Sequence, residues 1–94
     1  MALQIEFTNT VDEKEVVYPE AYLKADKISI VKRPNDLITM DCYYHVFGSK
    51  KERLEDATPL KSEFVQGFYD GKGGNVFEQC YGFLKAEFSK AIDV

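Results

Sequence analysis

The segment of residues 41–45 holds the only histidine and one of the two cysteines of this 94-residue chain. A cysteine beside a histidine is an arrangement that nucleophilic catalysis uses. On a β-strand, however, Cys42 and His45 point to opposite faces because they are three residues apart. Asp41 and His45 share a face but stand ~13 Å apart at ~3.3 Å per residue. We therefore predict no catalytic residue and a protein that is not an enzyme, with His45 on the polar face of a strand.

A glycine-rich loop at residues 70–75 precedes a predicted helix. Helix N-termini attract phosphate, so the loop resembles an anion cradle. The sequence matches neither the P-loop motif nor the dinucleotide-binding glycine motif, and we expect a connection whose glycines serve its backbone dihedral angles. A ligand site at this loop and helix start is the alternative.

No metal site is predicted. Three carboxylates, Glu52, Glu55 and Asp56, lie among lysine and arginine residues that neutralise them, and they lack the alternating oxygen ligands of a calcium loop. Cys42 and Cys80 are not part of a CxxC pair, and the chain has no second histidine for a zinc site. We expect no cofactor and two buried, reduced thiols that meet where the helix covers the sheet; a disulfide is the alternative.

The elements that position these residues are predicted to form an antiparallel sheet. Residues 3–7 alternate apolar and polar side chains, which is typical of a half-buried strand. A polar turn follows, and a short strand over residues 16–18 is expected to stop at Pro19. These two strands predict a hairpin over residues 3–18.

A second hairpin is predicted from residues 21–32 and 37–47, joined by a turn at residues 33–36. The apolar phase of the first strand shifts near Ala25, which indicates a bulge. In the second strand, alternate residues predict one fully buried face. These residues are Ile38, Met40, Cys42, Tyr44 and Val46.

The rest of the chain predicts a loop, a strand and a helix. Residues 48–59 are highly charged and predict an exposed loop with room for one helical turn, and residues 60–69 predict a strand. Asn75 is a favoured helix N-cap, and apolar residues follow on one helical face that Ile92 could extend. We therefore predict one α+β domain over residues 1–94: an antiparallel sheet of about five strands with one C-terminal helix packed across it.

Composition argues against two classes of partner. The net charge is −4, whereas nucleic-acid binding needs a concentrated cationic surface, so no nucleic-acid partner is expected. No apolar run approaches the ~18 residues of a membrane helix. The N-terminus lacks the cationic start and apolar stretch of a signal peptide, and we expect no membrane contact.

Association between subunits is the expected source of extra stability, because a chain this short buries only ~60–65% of its unfolded surface. The seven Phe and six Tyr residues supply large contact area at low entropic cost. We expect a homo-oligomer whose contacts involve the second face of the 37–47 strand and nearby tyrosines. The interface candidates are Tyr18, Tyr22, Tyr43, His45 and Phe47.

Two stretches of the chain resemble the corresponding parts of small structural proteins of tailed bacteriophages. In the first, Tyr81 and Leu84-Lys85 on the C-terminal helix are followed by Phe88 and a terminal Ala-Ile-Asp-Val. In the second, Ala-Tyr-Leu-Lys at residues 21–24 leads into β structure. Members of that family have no catalytic residues. This chain departs from them in lacking Trp and in its charged segment at residues 48–59.

The resemblance implies a virion component assembled in the host cytoplasm, in the tail or head–tail region. Its implied partners are copies of itself and other virion proteins. The alternatives are a capsid-decorating protein and a small intracellular module that binds a ligand or a protein, for which the loop at residues 70–75 would be the site.

Overall fold

The computed structural model describes residues 2–55 and 57–94. They form one five-stranded antiparallel sheet and two helices, which confirms the α+β class. The spatial order of the strands is β4-β3-β2-β1-β5. In chain order the elements are β1 (Leu3–Val11), β2 (Lys14–Lys32), β3 (Ile38–Phe47), α1 (Lys50–Leu54), β4 (Lys61–Phe68), α2 (Val76–Glu87) and β5 (Ile92–Asp93).

Strand β2 is a single strand of 19 residues, so the predicted end of a strand at Pro19 is wrong. The register of β2 against β1 passes from Ala21 opposite Ile5 to Tyr18 opposite Phe7, which places one extra residue on β2 in between. Proline is tolerated at such a bulge because no N–H is needed for the ladder there. Pro19 therefore marks a bulge within the strand.

The second bulge of β2 was predicted and is confirmed. The register against β3 passes from Ala25 opposite Tyr44 to Lys27 opposite Tyr43, so Asp26 is the extra residue. The backbone N–H of Ala25 donates a buried hydrogen bond of 2.9 Å to the Tyr81 hydroxyl of α2. This bond connects the sheet to the helix that covers it.

The prediction of five strands is confirmed, but two of the five strands differ from the predicted ones. The predicted strands at residues 16–18 and 21–32 are both parts of β2. The fifth strand, β5, pairs Ile92 and Asp93 with the start of β1. Helix α2 ends at Glu87, so Ile92 belongs to the sheet and does not extend the helix.

The core lies between α2 and one face of the sheet, here called the inner face. Cys80, Tyr81 and Leu84 are the buried residues of α2. Four alternate residues of β3 are buried as predicted, whereas the fifth, Ile38, is 39% exposed at the start of the strand. The sheet contributes Leu3, Ile5, Ala21, Leu23, Ala25, Met40, Cys42, Tyr44 and Val46 to this cluster.

The two hairpins share β2 but overlap along only a short part of it. Strand β1 pairs with β2 from Lys14 to Leu23, and β3 pairs with it from Tyr22 to Lys32. The end of β1 and the start of β2 therefore project beyond the rest of the sheet as a two-stranded ribbon, residues 8–17. The radius of gyration is 14.5 Å, against ~12 Å for a compact domain of this length.

The sequence predicted one helix, α2, but the described part of the chain contains two. The additional helix, α1, lies in the segment 48–59, where a loop with room for one helical turn was predicted. Its N-terminus is a variant of the capping box: the Ser49 hydroxyl accepts from the Glu52 N–H, and the Glu52 carboxylate accepts from the N–H of Gly48, the residue before the N-cap. The guanidinium of Arg53 lies 5.7 Å from the ring centroid of Phe47. Helix α1 thus covers one end of the sheet face opposite α2.

Gly67 of β4 lets the aromatic ring of Phe83 approach the inner face. A Cβ atom at Gly67 would lie only 2.5 Å from the Phe83 ring, whereas a Cβ atom at Gly82 would meet nothing within 4 Å. We predict that Gly67→Ala destabilises the fold by ~1–3 kcal/mol because the ring must shift.

Gly82→Ala is the matched control, and it should stabilise α2 by up to ~1 kcal/mol, the helix propensity difference. Urea unfolding of both variants measures the difference. Equal effects of the two substitutions would contradict the packing of Phe83 on Gly67.

Candidate functional site

The sheet face opposite α2, here called the outer face, carries exposed aromatic side chains. Tyr43 of β3 and Phe64 of β4 are opposite in register, and their ring centroids lie 5.4 Å apart. They are 37% and 52% exposed, and Phe68, further along β4, is 69% exposed. An aromatic pair of this kind normally gains most of its stabilisation from burial, which this chain does not provide.

A chain of polar side-chain contacts crosses the same face. The Ser62 hydroxyl lies 2.6 Å from His45 Nδ1, and an Asp26 carboxylate oxygen lies 3.3 Å from His45 Nε2. These residues come from three adjacent strands, β2, β3 and β4. With Lys27, Tyr43 and Phe64 they line a shallow cavity of about 370 Å³.

The order carboxylate, imidazole, hydroxyl matches that of hydrolytic triads, but the surroundings do not favour catalysis. The side chains of His45 and Asp26 are 33% and 58% exposed, and Ser62 is exposed as well. In open solvent such pairs are weak, whereas acyl transfer needs donors aimed at an oxyanion in a water-excluded site. The arrangement is better suited to holding three strands in register across the outer face.

The sequence prediction missed Ser62 as the partner of His45. It compared His45 only with Asp41 and Cys42, which are near in sequence. Ser62 lies opposite His45 through the register of β4 on β3, and Asp26 reaches the imidazole from the bulge of β2. A trial alignment of residues 60–69 against residues 37–47 is the signal that could have found this contact.

Four of the five predicted interface residues belong to the outer face, and the rings of His45 and Phe47 lie 6.3 Å apart there. Tyr43 is the third of these four. Tyr22 and Phe47 are opposite in register at the end of the sheet near α1, and Phe47 is only 6% exposed. Tyr18 lies opposite Phe7 and packs against the core cluster on the inner face.

The loop at residues 70–75 uses many of its hydrogen-bonding groups internally. The Asp70 carboxylate accepts from the Lys72 N–H, and the Asn75 side chain accepts from the Phe77 N–H at the start of α2. The Gln79 side chain accepts from the Asp70 N–H and donates to the carbonyls of Asp70 and Gly74. These contacts favour the predicted role of a strand-to-helix connection.

The predicted acidic cluster can be described only in part. Glu52 takes part in the capping box of α1, and Glu55 is exposed after it. Asp56 lies outside the described residues. Within residues 2–55 and 57–94, no group of three histidine, cysteine or acidic side chains could hold a metal ion.

The two cysteines meet in the core as predicted, and both are free thiols with no exposed surface. Burial raises the pKa of the Cys42 thiol, partly offset by its hydrogen bond with Cys80. Burial also raises the pKa of the Cys80 thiol, and the contact with Cys42 raises it further. Both thiols are therefore protonated and poor nucleophiles in the folded protein.

Comparison with protein-family models, with curated proteins and with solved structures found no match to this chain. In the part of the chain that the structure describes, no helix has the length and apolar character needed to cross a membrane.

The buried thiols predict a loss of stability at alkaline pH. The ordinary thiol pKa is 9.0, and the folded state raises it for both cysteines. Above pH ~9 the unfolded chain therefore releases protons that the folded protein retains. The free energy of unfolding therefore includes a contribution from the protonated thiols, which is fully present below the thiol pKa of the unfolded chain. This contribution is lost as the pH rises toward the thiol pKa values of the folded protein, at up to ~1.4 kcal/mol per pH unit for each thiol.

Urea unfolding in reducing buffer between pH 8 and pH 10.5 measures this slope. The variant Cys80→Ala removes one of the two titrating thiols and should lower the slope accordingly. A free energy of unfolding that stays constant over this range would contradict the burial of the thiols.

Proposed function

We propose that the chain is a non-enzymatic structural protein of a tailed bacteriophage, acting through contacts with copies of itself and with other virion proteins in the tail or head–tail region. The observation that carries the assembly role is the outer face. It presents the contacting rings of Tyr43 and Phe64, together with Phe68, to solvent. Aromatic residues are enriched in the cores of protein–protein interfaces, where their large area becomes buried.

The projecting ribbon, residues 8–17, supports the same proposal. Its apolar residues Val11, Val16 and Val17 are 49%, 39% and 53% exposed. A two-stranded ribbon is marginally stable alone, and a partner that packs on it would add the burial that it lacks. Both surfaces therefore gain stability from association.

The virion setting is supported by the sequence resemblance at residues 21–28 and 80–94. The geometry supports assembly in general and does not choose between a tail and a capsid position. The alternative of a ligand-binding module has less support, because polar groups of the loop at residues 70–75 are hydrogen-bonded within the loop and to Gln79 of α2.

Substitution of Phe64 tests the outer face as an assembly surface. We predict that Phe64→Lys lowers the self-association constant at least tenfold, because a charge replaces buried aromatic area at the interface. Phe77→Lys is the matched control: Phe77 is 47% exposed and Phe64 is 52% exposed, but Phe77 lies on α2, on the other side of the sheet. Sedimentation velocity over a range of protein concentrations measures both variants against wild type.

Two outcomes of that experiment contradict the proposal. One is a wild-type protein that stays monomeric up to millimolar concentration and joins no larger particle. The other is equal weakening by both substitutions, which would indicate a general effect of added charge.

A separate observation tests the virion setting. We predict that the gene lies among genes for portal, capsid or tail proteins, and that mass spectrometry finds the chain in purified particles at a fixed ratio to the major capsid protein. Absence from particles that carry all neighbouring gene products would contradict this setting while leaving self-association intact.

A further inference from the structure

Strand β4 forms one edge of the sheet and pairs on one side only, with β3. Among residues 2–55 and 57–94, no strand pairs with its other side. The Tyr69 N–H donates to the Ile38 carbonyl of β3, and bonds alternate along an antiparallel strand. The backbone groups of Phe64, Gln66 and Phe68 therefore point away from β3, toward the open edge.

The C-terminal part of this edge, residues 64–68, lacks the features by which sheet proteins usually prevent pairing with another chain. Natural edge strands are protected by charged residues, proline, bulges or short length. Residues 64–68, Phe-Val-Gln-Gly-Phe, contain neither charge nor proline. Their register against β3 is regular throughout, from Phe64 opposite Tyr43 to Phe68 opposite Thr39.

We propose that β4 pairs antiparallel with β4 of a second copy, with the two Gln66 residues on the two-fold axis, so that two sheets join into one of ten strands. This inference rests on the proposed assembly function and names the partner and the geometry of the contact. The uncharged segment 64–68 is centred on Gln66, and alignment of this segment with itself produces the two-fold arrangement.

The side chains of the segment are complementary to themselves in this register. Each Phe64 lies opposite Phe68 of the other copy, so the row that begins with Tyr43 and Phe64 continues across the new pair of strands. Aromatic cross-strand pairs stabilise antiparallel sheets. The charged residues Lys61 and Glu63 lie outside the paired segment, and Glu63 is opposite Tyr69 of the other copy. Like charges are therefore not placed opposite each other.

The other open edge, along β1, is less suited to this pairing. Strand β5 already covers its start, at Leu3 and Gln4. Most of the remaining edge belongs to the projecting ribbon, and two-stranded ribbons twist more strongly than larger sheets. Pairing of β4 with β1 of another copy would also produce an open or ring-shaped series, whereas pairing of β4 with itself closes as a dimer.

A cysteine at the axis tests the register. In a hydrogen-bonded antiparallel pair the two Gln66 Cα atoms lie ~5.5 Å apart, within the range of a disulfide. We expect Gln66→Cys to form a disulfide-linked dimer of the full chain under mild oxidation. Cys42 and Cys80 are fully buried, so the wild type should remain uncrosslinked under the same conditions.

Ser62→Cys is the matched control on the same strand and face. In the proposed register the two Ser62 positions are ~26 Å apart, since eight residues of strand separate them. We expect at least a tenfold lower yield of crosslinked dimer than for Gln66→Cys, measured by non-reducing electrophoresis and intact mass.

The outcomes separate this inference from the assembly proposal. If Gln66→Cys fails to crosslink, or Ser62→Cys crosslinks equally well, while the wild type still sediments as an oligomer, the β4 pairing is wrong and assembly stands. Trimers of the wild type in the absence of dimers and tetramers would indicate pairing of β4 with β1 and would also overturn it. A monomeric wild type would contradict both.

Discussion

The position of α2 on the sheet depends on the hydrogen bond from the Ala25 N–H to the Tyr81 hydroxyl. A bulge in β2 interrupts the ladder at this point, and a buried N–H without an acceptor would cost ~1–3 kcal/mol. The helix supplies the acceptor, and the same turn of the helix buries Cys80 and Leu84. Because α2 is the one long helix among the described residues, it covers one face of the sheet, and the outer face is exposed to solvent except at the end covered by α1.

Much of the local structure could be predicted from the sequence. The alternation from Met40 to Val46, the phase shift at Ala25 and the cap at Asn75 each have a short-range physical cause, and the structure contains all three. The error at Pro19 arose because the missing N–H was read as the end of a strand. Whether such a proline ends a strand or lies at a bulge depends on the neighbouring strand, so the local pattern does not decide it.

The outer face could be predicted only in part, because its contacts join strands that are distant in sequence. Tyr43 and His45 were recognised from the alternation of β3. Their partners Phe64 and Ser62 are given by the register of β4 on β3. A charged segment that includes α1 separates these two strands in the chain, so no short turn indicates their register. The burial of Phe47 likewise depends on α1, whose capping box at Ser49 and Glu52 was overlooked. The four-residue pattern Ser-x-x-Glu at residues 49–52 predicts the start of that helix.

The shared strand β2 has a mechanical consequence. It runs unbroken from the ribbon turn at Asp12 to the turn at Pro34, so tension between these two points is carried by covalent backbone and not by interstrand hydrogen bonds. A straight strand of 19 residues would span ~60 Å, yet the longest dimension of the molecule is 44 Å. Strand β2 is therefore bent, and its two register shifts lie along it. Force applied between the two turns would act first on a bent strand and not on a fully extended one.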